Sequence, residues 1–286
     1  MKALIVGANG QIGQALRELA PPGYEIVAPT RDELDITNRA ATTEWLIRCH
    51  PTVVFNAAAY TQVDRAQEEP DRARAVNATA VGWIADGARS INARFVHLST
   101  DFVFDGSSSR AYRPDDATNP LNVYGQTKRE GELAAKANHP EALIVRTSWV
   151  YSPRGHNFMG TMLRLMRERD EIRVVVDQIG TPTLASSVAS ALWKLANKQR
   201  SGILHYCDSG VASWYDFAMA IQEESVIAGI LSRTVPITPI SSDLYPMVAR
   251  RPSFSVLDCR ETSDVLGTCA NHWRVNLRKA IRDIAA

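Results

Sequence analysis

Two residues of complementary chemistry stand four apart in Tyr124-Gly-Gln-Thr-Lys128, the only Tyr-x-x-x-Lys of the 286-residue chain. On a helix, side chains at i and i+4 share one face. An ammonium so placed stabilises a tyrosinate, so Lys128 is expected to lower a phenol whose pKa starts near ~10. A phenol tuned in this way can donate a proton to a carbonyl oxygen as hydride arrives, the chemistry of a nicotinamide-dependent reductase. Lys128 is also placed to hold the nicotinamide ribose hydroxyls. The spacing alone equally suits a packed ring beside a solvated amine, so the elements around the pair carry the weight.

A hydride donor needs a berth. Gly7-Ala8-Asn9-Gly10-Gln11-Ile12-Gly13 follows the apolar run Ala3–Val6 and opens a helical stretch. In such a turn Gly7 permits the sharp bend, Gly10 lets backbone approach a pyrophosphate, and Gly13 allows close helix–strand packing. The helix start then offers free N–H groups and a positive dipole end to an anion. The second strand runs into Ala28-Pro29-Thr30-Arg31. An acid there would favour the free ribose hydroxyls of NAD; an arginine pairs with the extra phosphate of NADP. Arg31 therefore tilts the expectation to NADPH, with NADH still open and a solvated surface arginine the plain alternative. Asp35 and Ile36 are placed to flank the adenine. The small residues of Asn56-Ala57-Ala58-Ala59-Tyr60-Thr61 let a cofactor lie against backbone, or serve tight helix–sheet packing. Ser99-Thr100-Asp101 ends another strand, where Thr100 can bond a substrate oxygen beside Tyr124 or simply cap the strand.

The order of apolar runs predicts how these pieces meet. Ala3–Val6, Glu25–Ala28, Thr52–Asn56, Phe95–Ser99 and Leu143–Arg146 read as strands buried on both faces. Between them Gln11–Ala20, Arg39–Cys49, Arg72–Ser90 and Val123–Ala137 have helical periodicity. Strand and helix in alternation predict an α/β fold, a Rossmann-type doubly wound parallel sheet over residues 1–150. Residues 151–286 are expected to form mainly a smaller substrate-binding lobe, with some segments returning to the sheet. Helices are expected there at Asn157–Arg169, Ser186–Lys198, Ser213–Glu224 and Asn276–Ile284.

Composition excludes several classes. With 32 basic and 31 acidic side chains, nothing favours an electrostatic nucleic-acid or membrane binder. No apolar stretch approaches the ~20 residues of a membrane span, and the first ends at Gly7, so a cytoplasmic protein is expected. Cys49, Cys207, Cys259 and Cys269 contain no C-x-x-C and read as reduced structural residues. The histidines form no H-E-x-x-H, which speaks against zinc.

Together the motifs resemble the extended short-chain dehydrogenase/reductase family. The blocks Asn56–Asp64, Ser99–Gly106, Pro120–Lys128, Arg146–Tyr151, Asp177–Thr183 and Arg251–Cys259 narrow the resemblance to its reductases of 4-keto nucleotide sugars. That resemblance implies hydride transfer from NADPH or NADH to C4 of dTDP-4-dehydro-L-rhamnose, a step toward cell-surface polysaccharide. It implies Tyr124 as proton donor, Lys128 as its electrostatic partner and Thr100 as third member. It puts Gly7, Asn9, Gly10, Gln11 and Ile12 at the pyrophosphate and Thr30, Arg31, Asp35 and Ile36 around the adenosine. Ala57, Ala58, Ala59, Tyr60 and Thr61 would line the cofactor; Thr100, Asp101 and Trp149 would meet the sugar nucleotide. Some family members bridge dimers with magnesium through an acid in the first helix and an acidic pair after the Asp177–Thr183 block. Here Ala15 stands at the first position and no acid occurs between Asp177 and Asp208. No magnesium site is expected, and a homodimer, if formed, would not be metal-bridged. Two rivals share the fold. An epimerase or dehydratase is one, although dehydratases follow the active-site Thr with Asp-Glu where this chain has Asp101-Phe102. A nucleotide-binding regulatory subunit without turnover is the other.

Overall fold

The computed structural model describes residues 1–198 and 200–285. In chain order, the first half runs β1 (Lys2–Val6), α1 (Gln11–Glu18), β2 (Glu25–Val27), α2 (Arg39–Cys49), β3 (Val53–Asn56), α3 (Val63–Glu68), α4 (Pro70–Arg74), α5 (Ala80–Ser90), β4 (Arg94–Thr100), α6 (Val123–Asn138) and β5 (Leu143–Thr147). The five strands begin and end within a residue of their expected bounds; β3 and β5 are apolar runs buried on both faces, whereas β2, at the sheet edge, is partly exposed. Asn38 and Asn122 cap α2 and α6 by accepting from Ala41 N at 3.1 Å and Gly125 N at 2.8 Å.

One helix departs from the periodicity. The stretch Arg72–Ser90, expected as a single helix, is α4 and α5 joined by a π-helical turn at Ala75–Thr79. Asn77 lies in that turn and is fully buried. Its Oδ1 accepts from Tyr60 N at 2.8 Å, and its Nδ2 donates to Tyr60 O at 3.2 Å and to Thr127 Oγ1 at 3.1 Å. The widened turn lets one amide satisfy both the loop after β3 and helix α6, a partner set that no local pattern encodes.

The second half continues with β6 (Val150–Tyr151), α7 (Phe158–Glu168), β7 (Ile172–Val175), β8 (Ile179–Gly180), β9 (Thr183–Leu184), α8 (Ala185–Ala196), β10 (Gly202–His205), β11 (Ala212–Ser213), α9 (Trp214–Ile227), β12 (Ile237–Ile240), α10 (Arg260–Leu266) and α11 (Trp273–Ala285). Three of these elements return to the sheet, α10 among them through Val265 and Leu266. β10 pairs with β5, and α8 packs on the sheet through Trp193, whose Nε1 donates to Leu16 O at 2.9 Å.

The central sheet has the order β10-β5-β4-β3-β1-β2, with all pairings parallel. The helices α1 and α8 cover one face, and α2, α5 and α6 cover the other. The chain starts in mid-sheet, goes outward to β2, then crosses back to β3. The reversal between β1 and β3 opens a crevice beyond their carboxyl ends, where doubly wound sheets take ligands. A second core forms beside it, from α7, α9, α11, β7 and β12 around Phe217, Ile221 and Leu277.

Candidate active site

The crevice is built by the turn after β1. Gly7 has φ +81°, and a Cβ on it would come within 2.5 Å of Ala58 N. A Cβ on Gly13 would collide with Gly7 O. The turn therefore closes only with glycine at both positions, which brings the start of α1 against the loop after β3. Gly10 is the N-cap of α1 and supplies no side-chain acceptor, so the first-turn N–H groups stay free for an anion.

Two abutting cavities share this turn. The smaller, about 260 Å³, runs along Gly7, Asn9, Gly10, Ala57, Ala58 and Ala59 to Thr30, Arg31, Asp35, Ile36 and Tyr60. The larger, about 540 Å³, has Asn9, Gly10, Gln11, Ile12 and Thr61 at one end and Thr100, Asp101, Tyr124, Lys128 and Trp149 at the other. The chain thus brings every expected coenzyme- and substrate-contacting residue to one of two spaces that share the walls Asn9, Gly10 and Ala57–Ala59. Their shape, a long berth against bare backbone with a chemical end, fits a dinucleotide whose nicotinamide end meets a second ligand.

Several residues in this berth have additional partners. The Asp35 carboxylate accepts from Thr37 N and Oγ1 at 2.9 and 2.7 Å, which holds it below its ordinary pKa. Thr30 N donates to Glu33 Oε2 at 2.7 Å. Arg72, absent from the sequence-based candidates, joins Arg31 on the wall of the smaller cavity, so that end carries two cations. Gln11 has its side-chain oxygen occupied: Oε1 accepts from Ser152 Oγ at 2.9 Å and Asn157 Nδ2 at 3.0 Å. Its side chain joins the glycine turn to the segment leading into α7.

At the chemical end, Tyr124 and Lys128 do share one face of α6, but the expected electrostatics differ. Lys128 is buried and donates from Nζ to Leu98 O at 2.6 Å. Burial pushes its ammonium down to about 8, against the charge of Glu132. The Tyr124 phenol is pushed up to about 12, not lowered. Burial dominates, a hydrogen bond with Thr100 opposes it, and the Asp101 carboxylate adds to it. The i, i+4 spacing puts the two residues on one wall, but Leu98 O takes the ammonium, and the charge that acts on the phenol is that of Asp101. The phenol is therefore protonated at neutral pH, the state a proton donor requires.

Thr100 takes the capping role and faces Asp101 as well. Its Oγ1 accepts from Phe102 N at 3.2 Å, capping the short 3₁₀ turn Asp101–Val103, and donates to Asp101 Oδ1 at 3.1 Å. Asp101 is buried, and burial raises its carboxyl to about 7 against the opposing influence of the Ser255 and Thr100 hydroxyls. Its Oδ2 has no partner, and the residue lines the larger cavity. A buried carboxyl oxygen without a donor is costly unless a ligand hydroxyl supplies one.

Behind these residues lies a charge cluster around the fully buried pair Arg146 and Glu132. Arg146 grips Glu132 with Nε to Oε1 at 2.7 Å and Nη2 to Oε2 at 2.8 Å. Ser99 Oγ donates to the same carboxylate at 2.6 Å and Arg129 Nη1 at 2.8 Å. Since Ser99 precedes Thr100 and Glu132 is one turn beyond Lys128, the cluster ties the end of β4 to the helix of Tyr124.

Trp149 lines the cavity with one face already taken. Its ring stacks on Trp214 at 3.5 Å between centroids and 2° between planes. Its φ is +47°, in the left-handed region unfavourable for a bulky residue. A Cβ on Gly180 would strike its indole, so that glycine makes room for the ring. Trp214 was not among the sequence-based candidates, but its position was partly legible: Ser213 and Asp216 form a capping box whose N-cap immediately precedes it, making it the first residue of α9.

The family model described as RmlD substrate binding domain matches residues 1–286. A dTDP-4-dehydrorhamnose reductase of Aggregatibacter actinomycetemcomitans is 39% identical, over 100% of this chain and 98% of its own length. The Escherichia coli K12 dTDP-4-dehydrorhamnose reductase is also 39% identical, covering 99% of this chain and 98% of its own. Among solved structures, the Bacillus anthracis dTDP-4-dehydrorhamnose reductase in complex with NADP superposes with a TM-score of 0.94 at 33% identity, covering 99% of both chains. A UDP-glucose 4-epimerase of Thermotoga maritima superposes with a TM-score of 0.81 at 17% identity, covering 100% of this chain and 97% of its own, a likeness of fold alone.

Proposed function

The chain belongs to the RmlD substrate binding domain family, and on that premise we propose that it reduces dTDP-4-dehydro-L-rhamnose to dTDP-L-rhamnose with NADPH. The observation that carries the reading is the convergence of Tyr124, Thr100 and Lys128 on one end of a cavity whose other end is the bare glycine turn. When bound, the reduced nicotinamide supplies the hydride that reaches C4 of the sugar. Tyr124 donates its phenolic proton to the C4 oxygen as charge develops there, and the Thr100 hydroxyl, turning from Asp101 Oδ1, donates to the same oxygen. Lys128 holds a positive charge at the nicotinamide end and bonds the ribose hydroxyls. Asp101, through the oxygen that lacks a partner, accepts a hydrogen bond from the sugar. The open face of Trp149 covers an apolar sugar face. Gly10, Gln11 and Ile12 hold the pyrophosphate side through backbone, and Arg31, with Arg72 beside it, takes the ribose phosphate that distinguishes NADPH from NADH.

A dehydratase reading loses its second acid at Phe102, and an epimerase would recycle its coenzyme without net consumption. The test supplies enzymatically made dTDP-4-dehydro-L-rhamnose and follows reduced-nicotinamide absorbance. One coenzyme oxidised per sugar is expected, faster with NADPH than with NADH. Interconversion of the sugar without coenzyme loss would sink the reading.

Coenzyme affinity should also depend on pH. Lys128 loses its proton near pH 8, so NADPH binding is expected to weaken as pH rises through that value. Fluorescence titrations between about pH 6.5 and 9.5 measure it. Lys128→Arg should remove the alkaline loss, since guanidinium stays charged. Affinity that is flat across the range in the wild type contradicts the assignment.

The same reading puts the protein in the cytosol with its coenzyme; among the described residues, no helix is long and apolar enough to cross a membrane. With Ala15 in α1 and no acid between Asp177 and Asp208, any pairing of two copies rests on protein contacts and not on a bridging metal ion.

A further inference from the structure

Residues 249–255 form a strap one layer behind the cavity wall. Its outer end is held twice by the coenzyme-binding half. Asp64, in the first turn of α3, accepts from Ala249 N at 2.9 Å and from Arg251 Nη1 and Nη2 at 3.2 and 2.8 Å. Asn122 Nδ2 donates to Arg250 O at 2.7 Å. Asn122 is also the N-cap of α6, its Oδ1 accepting from Gly125 N at 2.8 Å. One amide therefore caps the helix that carries Tyr124 and grips the strap at the same time. The inner end touches the substrate side. Ser255 is buried with its hydroxyl against the Asp101 carboxyl. Ile179 N donates to Ser253 O and Ile179 O accepts from Ser255 N, both at 2.8 Å, next to the Gly180 that seats Trp149.

We propose that Asp64 and Asn122 are positioning residues: by gripping residues 249–251 they set Asp101 and Trp149 relative to Tyr124, so that turnover of the sugar nucleotide depends on the grip and coenzyme binding does not. The proposal rests on the reductase reading of this site. Its physical basis is that two separate side chains of the coenzyme-binding half hold the outer end of the strap while Ile179 pairs with its inner end, and neither anchoring side chain is needed to form the glycine turn. Misplacing reacting groups by about 1 Å costs on the order of a hundredfold, so a loosened strap is felt at the reacting carbon. Residues acting through one shared element also lose their effect together, not additively.

Two substitutions separate the grip from the fold. Asn122→Asp keeps an N-cap acceptor, and a negative charge at a helix start is favourable, so α6 retains its cap. The same change removes the donor to Arg250 O and sets a carboxylate oxygen against it. Asp64→Ala removes the other anchorage, and Arg251→Lys keeps the charge but not the paired donors. Each of Asp64→Ala and Asn122→Asp is expected to lower kcat/KM for dTDP-4-dehydro-L-rhamnose about tenfold, and Arg251→Lys by less. The double variant should lose little more than the larger single loss, and the Kd for NADPH should stay within about twofold in all of them. Hydrogen–deuterium exchange of peptides covering 178–181 and 249–256 should rise in the same variants with no substrate present. That measurement decides the grip even if the wild type fails to reduce this sugar nucleotide, a result that would overturn the reductase reading alone. Unchanged exchange, losses that multiply in the double variant, or a parallel fall in NADPH affinity would overturn the proposal.

Discussion

Tyr124→Phe is expected to lower kcat/KM for the sugar nucleotide by about 10² to 10⁴, the range that a positioned proton donor contributes, while leaving the Kd for NADPH within about twofold. The phenol is pushed up to about 12, so near pH 7 it carries the proton it must give. Phenylalanine removes that proton and keeps the ring, whose edge-to-face contact with Phe102 (5.6 Å, 74°) holds its place in the wall. Shape and coenzyme berth are thus preserved, and the lost rate reports the missing O–H. Thr100→Val is expected to cost less, because it withdraws a hydrogen bond to the same oxygen without removing the donor. Stopped-flow measurement of coenzyme oxidation separates the hydride step from product release. If Tyr124→Phe turns over within tenfold of the wild type, the proton comes from elsewhere.

The second large effect is on stability. Arg146→Met is expected to destabilise the fold by about 3–5 kcal/mol, because it leaves the Glu132 carboxylate buried without its main partner. The Arg146 and Glu132 side chains are 1% and 0% exposed, so water cannot replace the lost guanidinium. For a chain of this size that corresponds to a fall in Tm on the order of 10 °C. Replacing both residues with apolar ones is expected to cost much less than Arg146→Met alone, since the desolvated charge disappears with its partner. The pH dependence has a definite sign. Burial alone would raise the Glu132 carboxyl, but Arg146, with Ser99 and Arg129, holds it below its ordinary value. A carboxyl depressed in the folded state stabilises above its unfolded pKa of about 4.3 and loses that contribution as pH falls through its folded value. Urea unfolding of the wild type should therefore show stability declining on acidification below about pH 4, and Arg146→Met should blunt the decline. A variant as stable as the wild type would mean that the pair contributes nothing net.

The strap and the charge cluster show where sequence reasoning stopped. Asp64 and Arg251 are 187 positions apart in the chain, and Glu132 and Arg146 are joined only because α6 returns to the sheet through β5. Gln11 stands in a glycine turn that suggests a coenzyme contact, yet its side chain is taken up by Ser152 and Asn157. In each case the local pattern specifies a residue type and an element, but the partner comes from a distant segment. Trp149 is intermediate: its place near the end of β5 was legible, whereas its left-handed backbone and its stack on Trp214 were not.

The sequence by itself determined the alternation of strands and helices, the glycine turn after β1, and the pairing of Tyr124 with Lys128 on one helical face. These follow from local steric rules and short-range periodicity, which act within a few residues. Tertiary structure alone decided the charge states. Burial and an adjacent Asp101 raise the Tyr124 phenol that spacing had suggested Lys128 would lower. The ammonium instead meets the Leu98 carbonyl of a neighbouring strand. Electrostatic energy in a desolvated cavity depends on every group that faces it, and those groups are brought there by the fold and not by their order in the chain.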